Sequence, residues 1–174
     1  MSIQPSYIAV IFGLTTLLTI WIFYLASRQS KTVLIVLSGW ILLQAFISLS
    51  GFYLVTDTVP PRLILLVGLP LLVILALFLT VKGRLFIDGL EPRLLTMLHV
   101  VRIPVEMVLF WLYIYGNVPE LMTFEGRNFD VLSGLTAPLV YYLYFHRKVI
   151  SNKVMLVWNL ICLALLLNIV INAV

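Results

Sequence analysis

A chain of 174 residues that is 63% hydrophobic and 10% charged cannot hide its apolar surface in a water-soluble core, since soluble domains are roughly a quarter charged. Its solvent is lipid. The net charge of +4 does not point to nucleic acid, because no basic patch with interleaved aromatics lies outside the hydrophobic runs, and a single cysteine excludes an intrachain disulfide.

The N-terminal "MSIQPS" has no basic region and no clear small-residue cleavage site, so the first run reads as a retained transmembrane helix and not a signal peptide. Six hydrophobic runs follow one another at about 6–26, 33–55, 63–81, 94–116, 129–146 and 154–173, each near the ~20 residues that a helix needs to cross ~30 Å of hydrocarbon. They are continuously apolar instead of alternating, which argues against a β-barrel. Backbone amides in lipid need internal partners, so helices remain. The expected fold is all-α: one domain over 1–174, a polytopic bundle of six transmembrane helices.

Loops after the first, third and fifth runs hold Arg28, Lys31, Lys82, Arg84, Arg93, Arg147, Lys148 and Lys153, eight of the 11 basic residues. The other side holds Arg62 and Arg127. The positive-inside rule places the N-terminus and C-terminus outside the cytoplasm. Aromatic belts agree: Trp21, Tyr24, Tyr144 and Trp158 mark inner ends, and Tyr53, Trp111, Tyr113 and Tyr115 outer ends.

The second run carries Gln44 and Ser48 as polar members, and the third carries Pro70, which withholds an amide from the carbonyl of Leu66. The fourth, "LLTMLHVVRIPVEMVLFWLYIYG", is the unusual one, with His99, Arg102 and Glu106 inside it. Counting from Arg93 at ~1.5 Å per residue puts them about 9, 13 and 20 Å deep. Spacings of three, four and seven give all three one helix face. Each intramembrane charge costs ~2.5–3.5 kcal/mol on insertion scales, so that face looks into the bundle or into water. Pro104 lies within the stripe, where it frees the carbonyl of Val100 and bends the helix. One reading is a structural ion pair between Arg102 and Glu106, helped by Gln44, Ser48 or Asn159 from other helices. The Arg-before-Glu order is the weaker one for such a pair. The other reading is an intramembrane polar pocket of His99, Arg102, Glu106, Gln44 and Asn159. In it Arg102 holds an anionic group or sets the field, Glu106 accepts a proton and His99 relays it.

Between the fourth and fifth runs, "NVPELMTFEGRNFDVLSGLTAP" holds Glu125, Arg127, Asn128 and Asp130, with Leu121, Met122, Phe124 and Phe129 too apolar for a solvated loop. It is expected to fold back over the bundle, with Gly126 permitting a tight turn. Asn128 or Asp130 suits the N-cap of the fifth helix. Glu125 and Arg127 either pair or line the mouth of a cavity floored by Glu106 and Arg102. Ser133, Gly134 and Ala137 form a small-residue strip for close approach to the fourth helix. Pro138 withholds an amide from Gly134. The chain stops at "INAV", at the end of its sixth run, either at the outer surface or as a fragment of a longer chain.

"HVVRIPVE" (99–106) and "LMTFEGRNFDVLSGLTAP" (121–138), carrying HxxRxPxE and EGRNFDxLxGLTAP, resemble a family of small bacterial integral membrane proteins. The resemblance covers most of the chain. It implies a multi-pass protein of the bacterial cytoplasmic (inner) membrane and supplies no chemistry. Members of that family continue past the equivalent of Val174 into another hydrophobic segment, so the resemblance leaves helix count and the true C-terminus open.

No G-x-S-x-G, H-E-x-x-H, C-x-x-C or phosphate loop occurs. "DGLEPR" (88–93) lacks the further aspartates of the alcohol phosphotransferase motif that it superficially resembles. Asp57, Asp88 and Asp130 fall at helix ends or in loops, not in the buried pair that intramembrane proteolysis needs. Two histidines are too few for a zinc site. A b-type haem between His99 and His146 is geometrically conceivable, although His146 beside Arg147 and Lys148 reads more simply as an inner-face residue. The leading expectation is a non-enzymatic membrane protein without metal or cofactor that binds or moves a small polar solute or protons. The second is an accessory or assembly subunit whose partner is a membrane protein or a second copy of itself, with no role for nucleic acid. A third is a lipid head-group enzyme using Glu125 and Asp130 as acid and base.

Overall fold

The computed structural model describes residues 5–54, 62 and 64–173. Asp57, and the ends of the second and third runs at Val55 and Leu63, lie outside the described residues. Every regular element among those described is helical. They are α1 (Ser6–Ala26), α2 (Lys31–Leu49), α3 (Ile64–Leu79), α4 (Val81–Asp88), α5 (Pro92–Leu98), α6 (Arg102–Ile114), α7 (Val131–Tyr141) and α8 (Asn152–Ala173). By Cα proximity they form two compact units, one of residues up to Phe23 with Pro92–Ala173 and the other of Tyr24–Glu91.

Local chemistry explains where the helices run and stop. In α1 the hydroxyls of Thr15, Thr16 and Thr19 donate to the carbonyls of Ile11, Phe12 and Thr15 at 2.8, 2.9 and 2.8 Å. Each polar group is thereby satisfied within its own helix, as an apolar solvent demands. In the Tyr24–Glu91 unit, Arg28 and Gln29 turn left-handed at φ 55° and 60°, and their amides close on the carbonyls of Leu25 and Tyr24. Ser30 then caps α2 by accepting from the Val33 amide at 3.4 Å.

The third run does not continue straight. α3 and α4 meet at 95°, because Thr80 turns extended and caps α4, its hydroxyl accepting from the Gly83 amide at 3.1 Å. A Cβ at position 83 would strike the backbone of Leu77, so only glycine permits this fold-back.

The fourth run is also divided. Its ladder tightens to a 3-10 turn at His99–Val101 before α6 starts at Arg102. Pro104 therefore sits in the first turn of α6, where a missing amide costs no helical bond, and the irregularity expected of it is displaced one turn upstream. In the fifth run α7 includes Pro138 and gives way to a π-turn at Tyr142–His146.

Among the described residues, four stretches are long and apolar enough to cross a membrane: α1, α2, Pro92–Ile114 taken together, and Asn152–Ile171; counting the bent α3–α4 pair as one span makes five. α7 covers 11 residues and runs directly into the five-residue π-turn, a continuous helical stretch just under the ~20 that a crossing requires.

Burial is inverted relative to a protein folded in water. The fully buried apolar side chains among the described residues are Ile8, Ala26, Val108, Ala137 and Cys162, while Thr15, Ser27, Thr96, Glu106, Thr123, Asn128, Asp130 and Ser133 are buried and polar. Leu17, Trp21, Ile35, Phe46, Phe78 and Ile161 face outward. In water such exposure would be untenable; in lipid it is the favourable arrangement.

Candidate functional site

Five buried polar residues of the first unit, Glu106, Thr123, Asn128, Asp130 and Ser133, gather where α6, α7, α8 and the 117–130 segment meet. Gly134 makes this possible. A Cβ there would lie 2.8 Å from Ile103 Cγ1 and 3.1 Å from the His99 carbonyl oxygen, so α7 approaches the joint between α5 and α6 to backbone distance. Ser133 and Ala137 are buried on the same strip.

Arg102 points its guanidinium at the Asp130 carboxylate, the one ion pair among the described residues, with the arginine side chain 17% and the aspartate 4% exposed. The same Nη1 also donates to the carbonyl of Cys162 in α8 at 3.1 Å. The pairing of Arg102 with Glu106, one of the two readings of the stripe, does not form. Helical side chains tilt towards the N-terminus, which aims Arg102 away from a residue one turn ahead. Asp130 occupies the N-cap position of α7 without making a capping bond. Its Oδ1 is taken by Arg102 and accepts from the Ser133 hydroxyl at 3.2 Å.

Glu106 is 1% exposed. Its Oε1 accepts from Asn128 Nδ2 at 2.6 Å, while its Oε2 accepts no hydrogen bond. Asn128, 0% exposed, is the hub of the segment. Its Nδ2 also donates to the Met122 carbonyl at 3.0 Å, its Oδ1 accepts from the Asp130 amide at 3.0 Å, and its own amide donates to the Thr123 carbonyl at 3.1 Å. These bonds fold the segment back onto the bundle. Thr123 is buried, Phe124 packs on Phe110 with ring centroids 4.9 Å apart, and the Arg127 carbonyl accepts from Asn168 of α8 at 2.7 Å. Gly126 is needed for close approach, since its Cβ would meet Leu121 Cα at 2.8 Å; its backbone is not left-handed.

Other candidates lie elsewhere. His99 packs on Trp158, centroids 4.8 Å apart, with a buried Nδ1 that has no hydrogen-bond partner. His146 is exposed beside Tyr141 and Tyr142. Asn159 turns its amide back to the Met155 carbonyl at 2.9 Å. Gln44 belongs to the second unit, where it accepts from the Tyr53 hydroxyl at 2.6 Å. Glu125 and Arg127 are exposed and form no ion pair with each other, so the exposed Glu125 and the inward-turned Asp130 have separate surroundings. No group of three or more metal-ligating His, Cys, Asp or Glu side chains occurs among the described residues.

The face of α6 beside the polar stripe is apolar. Val105, Val108 and Leu112 share a groove of about 390 Å³ with Ile8, Ala9 and Phe12 of α1. No known family, curated protein or solved structure matches the chain. Its chemistry is therefore read from this cluster alone. The cluster brings two carboxylates and one guanidinium together, with one carboxylate oxygen unanswered.

Proposed function

We propose that this is a multi-pass protein of the bacterial cytoplasmic membrane whose buried polar cluster binds or translocates a small polar solute or protons at Glu106. The outward apolar surface and long apolar helices support residence in lipid, and the placement of basic residues supports six crossings with both termini outside. The observation that carries the functional reading is the unanswered Oε2 of a 1% exposed glutamate. A buried acceptor left without a partner costs ~1–3 kcal/mol or more when charged, and a fold keeps such a group where something else is to meet it. Arg102 serves here as a positioning residue. Its charge is met by Asp130, which anchors the segment that delivers Asn128 to Glu106.

Proteoliposomes containing the wild type should dissipate an imposed proton gradient faster than empty vesicles, and Glu106→Gln should remove most of that excess. Flux unchanged by the substitution would end the proton form of the proposal.

One observation favours the accessory-subunit reading. The ion pair is internally neutral, and the exposed Glu125 and Arg127 stand on a segment held at both sides, as a docking surface for another membrane protein would. Purification from native membranes with a stoichiometric partner would support it; a lone species would not.

A further inference from the structure

The polar-pocket reading leaves open what meets Glu106, and the geometry narrows the choice. An anion would need an available cation, and Arg102 is already shared between the Asp130 carboxylate and the Cys162 carbonyl. A neutral donor would leave the charge count unresolved: Glu106 and Asp130 bring two carboxylates against the single guanidinium. One positive charge corrects both the count and the unanswered oxygen.

We propose that Glu106, through its unanswered Oε2, binds one monovalent positive charge, a proton or a sodium ion. Three features argue for this site. Asn128 Nδ2 holds Glu106 Oε1 at 2.6 Å and the Met122 carbonyl oxygen at 3.0 Å, so the carboxylate is pinned through one oxygen and Oε2 is the one left for a ligand. The Asn128 amide orientation is fixed, because its Oδ1 accepts from the Asp130 amide. A free carboxylate oxygen is a ligand that protons and hard cations prefer.

Among the described residues, the groups facing Glu106 are few. Arg102 lies one turn back on the same helix and is paired. Asp130 comes from the start of α7 and is paired with it, while Asn128 comes from the preceding segment. His99 lies further back against Trp158 of α8, and α1 contributes only Ile8, Ala9 and Phe12 to the adjoining groove. No second cation among these stands in for the bound charge.

The inference rests on the polar-pocket reading, and the test separates the two. The melting temperature of the wild type and of Glu106→Gln in detergent would be measured in sodium chloride, choline chloride and choline formate at equal ionic strength, from mildly acidic to mildly alkaline pH. Sodium above choline raising the wild-type Tm, with no response in Glu106→Gln, identifies sodium as the ligand. A wild-type Tm that falls with rising pH in choline chloride, and is flat in Glu106→Gln, identifies the proton. Stabilisation by formate that the substitution abolishes overturns the cation assignment and leaves the pocket intact. Equal behaviour of the two proteins in every salt and at every pH overturns both.

If Glu106→Gln does not fold, dicyclohexylcarbodiimide and peptide mapping on the wild type decide the matter. An adduct at Glu106 suppressed by sodium or by high pH supports the site. An adduct indifferent to both, or none, overturns it.

Discussion

Arg102 and Asp130 are 28 positions apart, and neither residue's surroundings in the sequence announce the other. That Arg102 and Glu106 stand one turn apart on one helix was legible, because helical spacing is fixed by backbone geometry. Arg102's partner was not, because which side chain reaches across depends on how two helices are phased and how closely they approach. Its second acceptor, the Cys162 carbonyl, carries no signal at all, since every residue has one. Asn128 was half legible. Its type suits a helix start, but its hub role needs Glu106, Met122 and Asp130 to be neighbours first. The pair invites a double-mutant cycle. Arg102→Met and Asp130→Asn should each cost ~3–5 kcal/mol of unfolding free energy in detergent, because each leaves a buried charge without its counter-charge. The combined Arg102→Met/Asp130→Asn variant should recover most of that loss. Additive costs would mean that the pair is not coupled and that each residue serves another partner.

Helices of the apolar runs were legible from composition, but their interruptions were not. Pro104 pointed to an irregular ladder in the fourth run, and the 3-10 turn falls one turn earlier because proline is tolerated at the start of a helix. The 95° break after α3 follows from a Thr80 cap and a glycine whose missing Cβ matters only once Leu77 is beside it. α7 behaves similarly. Its strip of Ser133, Gly134 and Ala137 was recognisable as a contact face, and the contact is close enough that Gly134→Ala should cost ~1–3 kcal/mol by forcing α7 off the α5–α6 joint. Denaturant unfolding of the reconstituted protein measures this. A neutral Gly134→Ala would show that Ile103 yields to the added methyl without moving the helix.

At the scale of the molecule, the apolar exterior follows directly from composition, while orientation rests on where lysine and arginine fall. Single cysteines at Arg127 and Lys153, both exposed, test that orientation. In intact cells a membrane-impermeant maleimide should label Arg127→Cys, and it should reach Lys153→Cys only after permeabilisation. Labelling of both from one side would remove the six-crossing arrangement, because an even number of crossings, or none, would then separate them. The same experiment depends on a detail inside the cluster. Arg102 leans on the main-chain oxygen at position 162 and not on the thiol, so Cys162→Ala leaves that bond available. The only native cysteine is therefore dispensable to the cluster, and the chain can be made thiol-free before any reporter is introduced. The thiol-free chain thus offers a clean background on which each added sulfur speaks for its own address.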